Sequence, residues 1–297
     1  MKLCLGTAQF GMDYGVQGDR KTNADEVYEI LKCAIDNGID LVDTAPSYGE
    51  AEKVLGNFIA ASSAAEIKVV SKLDAGCLKN IARKNYKRVI AEKIYNSCDA
   101  LHMDKLDGYL LHNPKHLYVP EVLTTLDELK NAGHIDHIGA SVYSPKDALY
   151  AANSELVDYI QVPYNALDHG LEKNGFFKQA KENKKTIFAR SVFLQGLLTM
   201  KPERIPPHLA SARDSVRTFQ KICDDAGYDP VEGSIAYIKN NTSIDYLVLG
   251  VNKCGQLEEI IEKYNAIDVI SESFVARIRE TFGDMEEKLI NPALWNR

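Results

Sequence analysis

Four polar side chains stand where apolar runs end. Asp43 and Tyr48 lie in Leu-Val-Asp43-Thr-Ala-Pro-Ser-Tyr48-Gly, Lys72 closes Ile-Lys-Val-Val-Ser-Lys72, and His112 closes Asp-Gly-Tyr-Leu-Leu-His112. A carboxylate, a phenol, an ammonium and an imidazole gathered on one rim make a proton-donor site. A free phenol, with a pKa of ~10, is a poor acid at neutral pH. A neighbouring ammonium stabilises phenolate and lowers that value. Lys72 would supply the charge, Asp43 would hold the lysine, and Tyr48 would serve as general acid. His112, neutral beside Lys72, would orient a substrate oxygen. Such a site protonates an oxyanion as it forms. Reduction of a carbonyl by hydride fits, with the hydride drawn from a cofactor. Each residue alone has a commoner structural role: a capping Asp, a packed Tyr, a solvated Lys, a core His. Four such roles on three successive strand ends explain the pattern less well than one site does.

The elements that must position these residues alternate from end to end. Short apolar runs at Leu3–Gly6, Leu41–Thr44, Lys68–Lys72, Gly108–His112, His137–Ser141, Tyr159–Val162, Thr186–Ser191 and Tyr246–Gly250 read as strands. They lack polar alternation, as strands of a helix-covered parallel sheet do. Helical patterns near 24–37, 49–60, 79–99, 120–132, 145–152, 172–183, 212–226 and 255–266 separate and follow them. Eight such units in 297 residues predict a single-domain (β/α)8 barrel over 1–297, with a further helix near 271–282 and a C-terminal tail. A doubly wound sheet is the weaker alternative, because Gly6, Gly11 and Gly15 do not give the dinucleotide-binding spacing. In a parallel barrel the site lies at the C-terminal strand ends, where Asp43, Lys72 and His112 fall. The stretch 198–212, with Pro202, Pro206 and Pro207, is the longest irregular one and follows the seventh strand.

Composition narrows the function classes. The chain is 45% hydrophobic and 26% charged, an ordinary globular balance. A net charge of −7 and a pI near 5.6 argue against nucleic acid or an anionic membrane as partner. No signal peptide or spanning segment is visible, and six scattered cysteines without a Cys-x-x-Cys pair read as reduced thiols of a cytoplasmic protein. No His/Cys cluster has metal-ligand spacing, so no metal is expected.

Gly6-Thr7-Ala-Gln-Phe-Gly11, Asp43-Thr-Ala-Pro-Ser-Tyr48-Gly, Ser71-Lys72 and Leu-Leu-His112, in this order, resemble the strand-end signatures of the aldo-keto reductase superfamily. The resemblance runs nearly end to end. It implies Tyr48 as acid, Asp43 and Lys72 as its tuning pair, and His112 as the residue that positions the carbonyl. It also implies a nicotinamide cofactor in an extended pose, NADPH with NADH as the alternative. Gly6 and Thr7 fall on its path. Ile-Gly139-Ala-Ser141-Val142 is similar to the family's G-x-S-N, so Ser141 is implied to hold the carboxamide, while Val142 departs from the pattern. Gln161 matches a second carboxamide contact. Ala-Arg190-Ser191-Val-Phe193-Leu194-Gln195-Gly196 is similar to a segment that cradles pyrophosphate; Arg190 replaces the aromatic residue that stacks on nicotinamide in many relatives. Gly250, Val251, Lys253, Gln256 and Ile260 align with the 2′-phosphate segment but lack its usual cations, Lys253 excepted. Tyr14, Tyr143, Phe193, Lys115 and His116 are candidate substrate contacts, with the loop after strand 4 and the 198–212 stretch at the rim. The opening motifs are similar to those of a bacterial subgroup linked with sugar and surface-polysaccharide metabolism, which implies a sugar or short polar aldehyde. Two other readings stay open: a cofactor-binding regulatory subunit without turnover, and an aldolase or lyase using Lys72 as a Schiff base. Asp43 beside Lys72 counts against the second, because it keeps the amine charged.

Overall fold

The computed structural model describes residues 1–295 other than 17, 19 and 63–66. Eight parallel strands close into a barrel in sequence order: β1 (Lys2–Gly6), β2 (Leu41–Asp43), β3 (Lys68–Leu73), β4 (Leu106–Leu111), β5 (Ile135–Ser141), β6 (Tyr159–Pro163), β7 (Thr186–Arg190) and β8 (Tyr246–Gly250). Pairing of β8 with β1 from Lys2–Tyr246 to Gly6–Gly250 closes it. The expected (β/α)8 architecture is therefore the observed one, with strand ends displaced by two residues at most.

The outer layer comprises α1 (Ala24–Asp36), α2 (Ala51–Ala61), α3 (Tyr86–Leu101), α4 (Pro120–Asn131), α5 (Pro145–Asn153), α6 (Phe176–Glu182), α7 (Arg213–Asp225), α8 (Pro230–Lys239) and α9 (Cys254–Ala266). Beyond it lies α10 (Glu272–Thr281). The helix starts behave as their sequences dictate. Asn23 accepts from the Glu26 amide and Ser144 from the Asp147 amide, each satisfying an otherwise orphaned N–H.

Three helix expectations are corrected. The segment 79–99 becomes helical only from Tyr86, after turns that include Asn80 at φ 62 and a 3-10 turn at Arg83–Asn85. The pattern over 172–183 is broken at Gly175, whose φ of +78 ends one turn (Gly170–Lys173) and starts α6. Helix α8 was not anticipated. Its start was legible, because Asp229-Pro230-Val231-Glu232 forms a capping box with proline in the first turn. Its almost wholly buried body carries no amphipathic stripe to announce it.

Inside the barrel, Cys4, Leu41, Val70, Leu110, Tyr159 and Phe188 form one buried apolar layer. Side chains two residues apart on a strand point to the same face. The residues two steps on are Gly6, Asp43, Lys72, His112, Gln161 and Arg190. Gly139 also faces inward, since a Cβ there would lie 2.2 Å from Leu110 Cδ2, and its i+2 residue is Ser141. Val248, packed on the same layer, leads in the same way to Gly250. All eight strands thus raise one site position each above a common apolar floor.

Candidate active site

A cleft of about 500 Å³ opens at the C-terminal ends of the strands. Asp43, Tyr48 and His112 line one end of it; Gln256, Glu259 and Ile260, on α9, line another part. Tyr48 is carried by the loop after β2. Two glycines hold that loop against the chain after β1. A Cβ on Gly11 would fall 1.7 Å from the Tyr48 carbonyl oxygen, and one on Gly49 (φ +61) would fall 2.3 Å from the Gly11 oxygen. Only glycine lets the two backbones approach this closely.

Lys72 is fully buried and does not line the cleft. Its Nζ donates to Asp43 Oδ1 (2.7 Å), Asp43 Oδ2 (2.8 Å) and the Thr44 carbonyl (2.8 Å), and it also hydrogen-bonds the Tyr48 side chain. It lies 4.8 Å from the centre of the Tyr48 ring. Burial acts to lower the lysine pKa, but the charge of Asp43 and the proximity of Tyr48 outweigh it, and the net direction is upward. A charged, fully engaged amine without access to the cleft is a poor Schiff-base nucleophile.

Tyr48 departs from expectation. Burial of the phenol raises its pKa, Lys72 pulls it down, Asp43 pushes it up, and the net direction is upward. The ammonium offsets part of the desolvation rather than making the phenol more acidic than usual. His112 behaves as expected. Burial first, then the charge of Lys72, lowers its pKa to about 4 and leaves it neutral near pH 7. Its Nδ1 lies 3.3 Å from Ser47 Oγ, and its ring meets that of Tyr48 edge-on at 6.0 Å.

Gln161 holds a place that motif reading alone did not assign. Its amide nitrogen donates to Asp43 Oδ1 at 2.7 Å, and its oxygen accepts from Ser141 Oγ at 3.1 Å. A buried chain thus runs Ser141–Gln161–Asp43–Lys72. The signal for it was the strand register, which sets Ser141 beside Gln161.

The residues expected along the cofactor path fall into two groups. Gly6, Thr7, Ser141, Gln161, Arg190, Ser191, Phe193, Gln195, Gly196, Gly250 and Gln256 all line the cleft. Leu194 is buried beneath it, and Lys253 is exposed away from it. After β7 the backbone is left-handed at Ser191 (φ 60), Leu194 (φ 49), Gln195 (φ 56) and Gly196 (φ 90). Non-glycine residues in this region cost about 1–3 kcal/mol each and collect at functional sites. Such turns also aim successive N–H groups toward one side, where an anion can sit. The glycine pair Gly6–Gly250 on the cleft floor and this left-handed loop fit close approach of a phosphate-bearing dinucleotide.

Arg190 is fixed in the cleft wall by the Val142 carbonyl (3.2 Å) and Ser191 Oγ (3.3 Å), with its guanidinium 4.4 Å over the Tyr143 ring. Of the expected substrate contacts, Tyr14, Tyr143 and Phe193 line the cleft; Lys115 and His116 do not. Their loop folds into a 3-10 turn capped by Asn113, which leaves Lys115 exposed and His116 buried. From 198–212 only Thr199 reaches the cleft, because 3-10 turns lay the rest against α7. Unanticipated lining residues are Gln9, Gly15, Val231 and, from the C-terminal tail, Pro292 and Ala293. Cys33 on α1 and the pair Cys254 and Glu258, four residues apart on α9, bring their ligating atoms within 4.8 Å of one another; only the last two share a local spacing. Among the described residues no helix is long and apolar enough to cross a membrane.

Residues 2–282 match the model of the Aldo/keto reductase family. The chain is 27% identical over 283 residues to the aldo-keto reductase YhdN of Bacillus subtilis, covering 88% of this chain and 84% of that protein. It is 31% identical over 218 residues to the NADH-specific methylglyoxal reductase of Escherichia coli, covering 67% of this chain and 65% of that protein. A crystal structure described as an aldo-keto reductase from Pseudomonas aeruginosa superposes with a TM-score of 0.64 at 22% identity, over 88% of each chain, and so shares the fold.

Proposed function

We propose, for a chain that belongs to the aldo/keto reductase family and so is a nicotinamide-dependent oxidoreductase acting on carbonyl or alcohol groups, that it works as one catalytic domain reducing a small polar aldehyde or ketone with Tyr48 as general acid. The observation that carries this reading is the gathering of Tyr48, the Lys72–Asp43 pair and His112 beside one cleft of about 500 Å³.

The bound cofactor supplies a hydride to the carbonyl carbon. The chain's own residues do the rest. A carbonyl oxygen between Tyr48 and His112 gains negative charge as the hydride arrives. Tyr48 gives it the phenolic proton, which completes the alcohol. The phenolate left behind faces the Lys72 ammonium, which favours the charged form in a low-dielectric site. Asp43 fixes the lysine, and Gln161, held by Ser141, fixes Asp43. In the tautomer where Nδ1 of His112 accepts from the Ser47 hydroxyl, Nε2 carries the imidazole proton and is free to donate to a substrate oxygen. An upward-shifted phenol stays protonated over the physiological range and suits the reducing direction. Ser141, Gln161 and Arg190 are the residues proposed to flank the nicotinamide, and the Ser191–Gly196 loop the pyrophosphate. A small polar substrate fits the mixed lining of Tyr14, Tyr143, Phe193 and Arg190, and the E. coli relative's name supports the same class. A sugar carbonyl is the form suggested by the opening motifs.

The test is direct. Purified protein is titrated with NADH and NADPH by fluorescence, then given a panel of small aldehydes and sugars while reduced nicotinamide is followed by absorbance. Nucleotide binding with consumption on at least one carbonyl is expected. Absence of binding refutes the reading, and binding without turnover across the panel favours a regulatory subunit.

A further inference from the structure

Barrel closure brings together three side chains that the cleft does not use. Cys33, in the last turn of α1, is buried. Cys254 is the first residue of α9, and Glu258, one turn further along, is exposed. Their two Sγ atoms and a carboxylate oxygen lie within 4.8 Å of one another. Among the described residues no other group of three or more histidine, cysteine or acidic side chains converges in this way. The two thiols hydrogen-bond each other. None of the three lines the cleft, whose α9 wall is made by Gln256, Glu259 and Ile260.

The donor set selects its ligand. A pair of soft thiolates favours zinc and its chemical neighbours over calcium or magnesium, which take oxygen ligands. Zinc binds four tetrahedral ligands at ~2.3 Å from sulfur and ~2.0–2.2 Å from oxygen, so its ligand atoms stand about 3.4–3.8 Å apart. The three atoms here reach that spacing by closing in about 1 Å, which the long, exposed Glu258 side chain can supply, with solvent at the fourth position. The surroundings suit a cation. Asn37 Nδ2 donates to Cys33 Sγ at 3.7 Å, the kind of supporting contact that orients a ligating sulfur. Glu26, from the first turn of α1, accepts from the Cys254 amide at 2.6 Å and so ties the start of α9 to α1. The carboxylates of Glu26, Asp36 and Glu258 all act electrostatically on the two sulfurs. A divalent cation relieves the repulsion that such a group accumulates.

We infer that Cys33, Cys254 and Glu258 bind a zinc-class divalent cation, which clips α1 to α9 across the seam where the barrel closes. Helix α1 follows β1 and α9 follows β8, the two strands whose pairing completes the barrel. A link from residue 33 to residue 254 closes most of the chain into one loop, and long loops are where a cross-link removes most entropy from the unfolded chain. The ligands meet only in the closed barrel, so the metal stabilises the native chain by mass action. This goes against the expectation of no metal, which rested on local spacing and could not see a ligand brought from the other end of the chain. Because no ligand lines the cleft, the inference stands apart from the carbonyl chemistry.

The test titrates the reduced, chelator-treated, untagged full chain with Co²⁺ and then Zn²⁺. One cobalt per chain is expected, with thiolate-to-cobalt charge-transfer absorption and d–d bands of tetrahedral intensity, both lost as zinc displaces it. Zinc at about 100 times its dissociation constant should raise the melting temperature by roughly 5 °C. Loss of a supporting contact alone costs about 10–100-fold in metal affinity, so Cys33→Ser and Cys254→Ser should weaken zinc by at least about 100-fold and Glu258→Gln by about 10-fold. Cys77→Ser, at a half-buried thiol after β3, should bind zinc as the wild type does. Octahedral cobalt without thiolate absorption would overturn the inference. So would wild-type affinity in either serine variant, or a Cys33–Cys254 disulfide found by mass spectrometry in protein prepared with zinc present. Should buried Cys33→Ser fail to fold, exposed Glu258→Gln decides: wild-type zinc affinity in that folded variant would equally contradict the site.

Discussion

The chemistry rests on where charge is allowed to be. Lys72 is held charged because the Asp43 carboxylate and the Thr44 carbonyl accept hydrogen bonds from its ammonium and the charge of Asp43 favours that form. His112 is neutral because it is buried and close to that ammonium. Its folded pKa of about 4 lies below the ordinary 6.5, so between those values the unfolded chain binds the proton more readily. The stability contributed by neutral His112 is therefore complete above pH 6.5 and is lost as pH falls toward 4. The same protonation would turn the imidazole into a second cation beside Lys72. We predict an acid limb in kcat/KM near pH 4, with a matching fall in melting temperature, both weakened in His112→Gln. Identical acid limbs in the two proteins would remove His112 from this role. The identity of the four chemical residues was legible because each sits at the end of an apolar run. The direction of the Tyr48 shift was not, because desolvation depends on packing around the phenol, which residue types do not report.

At the scale of elements, register does the positioning. Each strand places a site residue two steps above the inner apolar layer, so one face of eight strands writes both the core and the site. This is why strand ends were readable to within two residues and why Gln161 and Ser141 meet. Helix boundaries were less readable where glycine or a left-handed residue interrupts a pattern, as at Asn80 and Gly175, or where a helix is buried all round, as in α8. The loop carrying Tyr48 is held by glycine contacts and not by strand pairing. Gly11→Ala would drive a methyl group to 1.7 Å from the Tyr48 carbonyl oxygen, a clash that only backbone movement relieves. Overpacking of this kind costs about 1–3 kcal/mol, and misplacing a catalytic group by about 1 Å can cost 10²-fold. We expect a lower melting temperature together with a kcat reduced roughly 100-fold. Wild-type kcat in Gly11→Ala would show that the loop does not depend on this contact.

At the scale of the molecule, barrel closure joins the first and last strands, so that Gly6 and Gly250 share a floor from opposite ends of the chain. The same closure sets α1 against α9 and brings Glu26 to the Cys254 amide, across 228 positions of sequence. Val231, Pro292 and Ala293 reach the cleft wall by the same long-range packing. None of these has a local sequence signature, and together they are the part of the site that had to be seen folded. What remains common to every scale is one proton on one oxygen. The most direct measurement compares wild type with Tyr48→Phe, following consumption of reduced nicotinamide with a small aldehyde while nucleotide affinity is measured by fluorescence on the same samples. Loss of a general acid costs about 10²–10⁴-fold, so turnover should fall by at least 100-fold while nucleotide affinity stays within about threefold. Turnover in Tyr48→Phe close to that of the wild type would contradict the account.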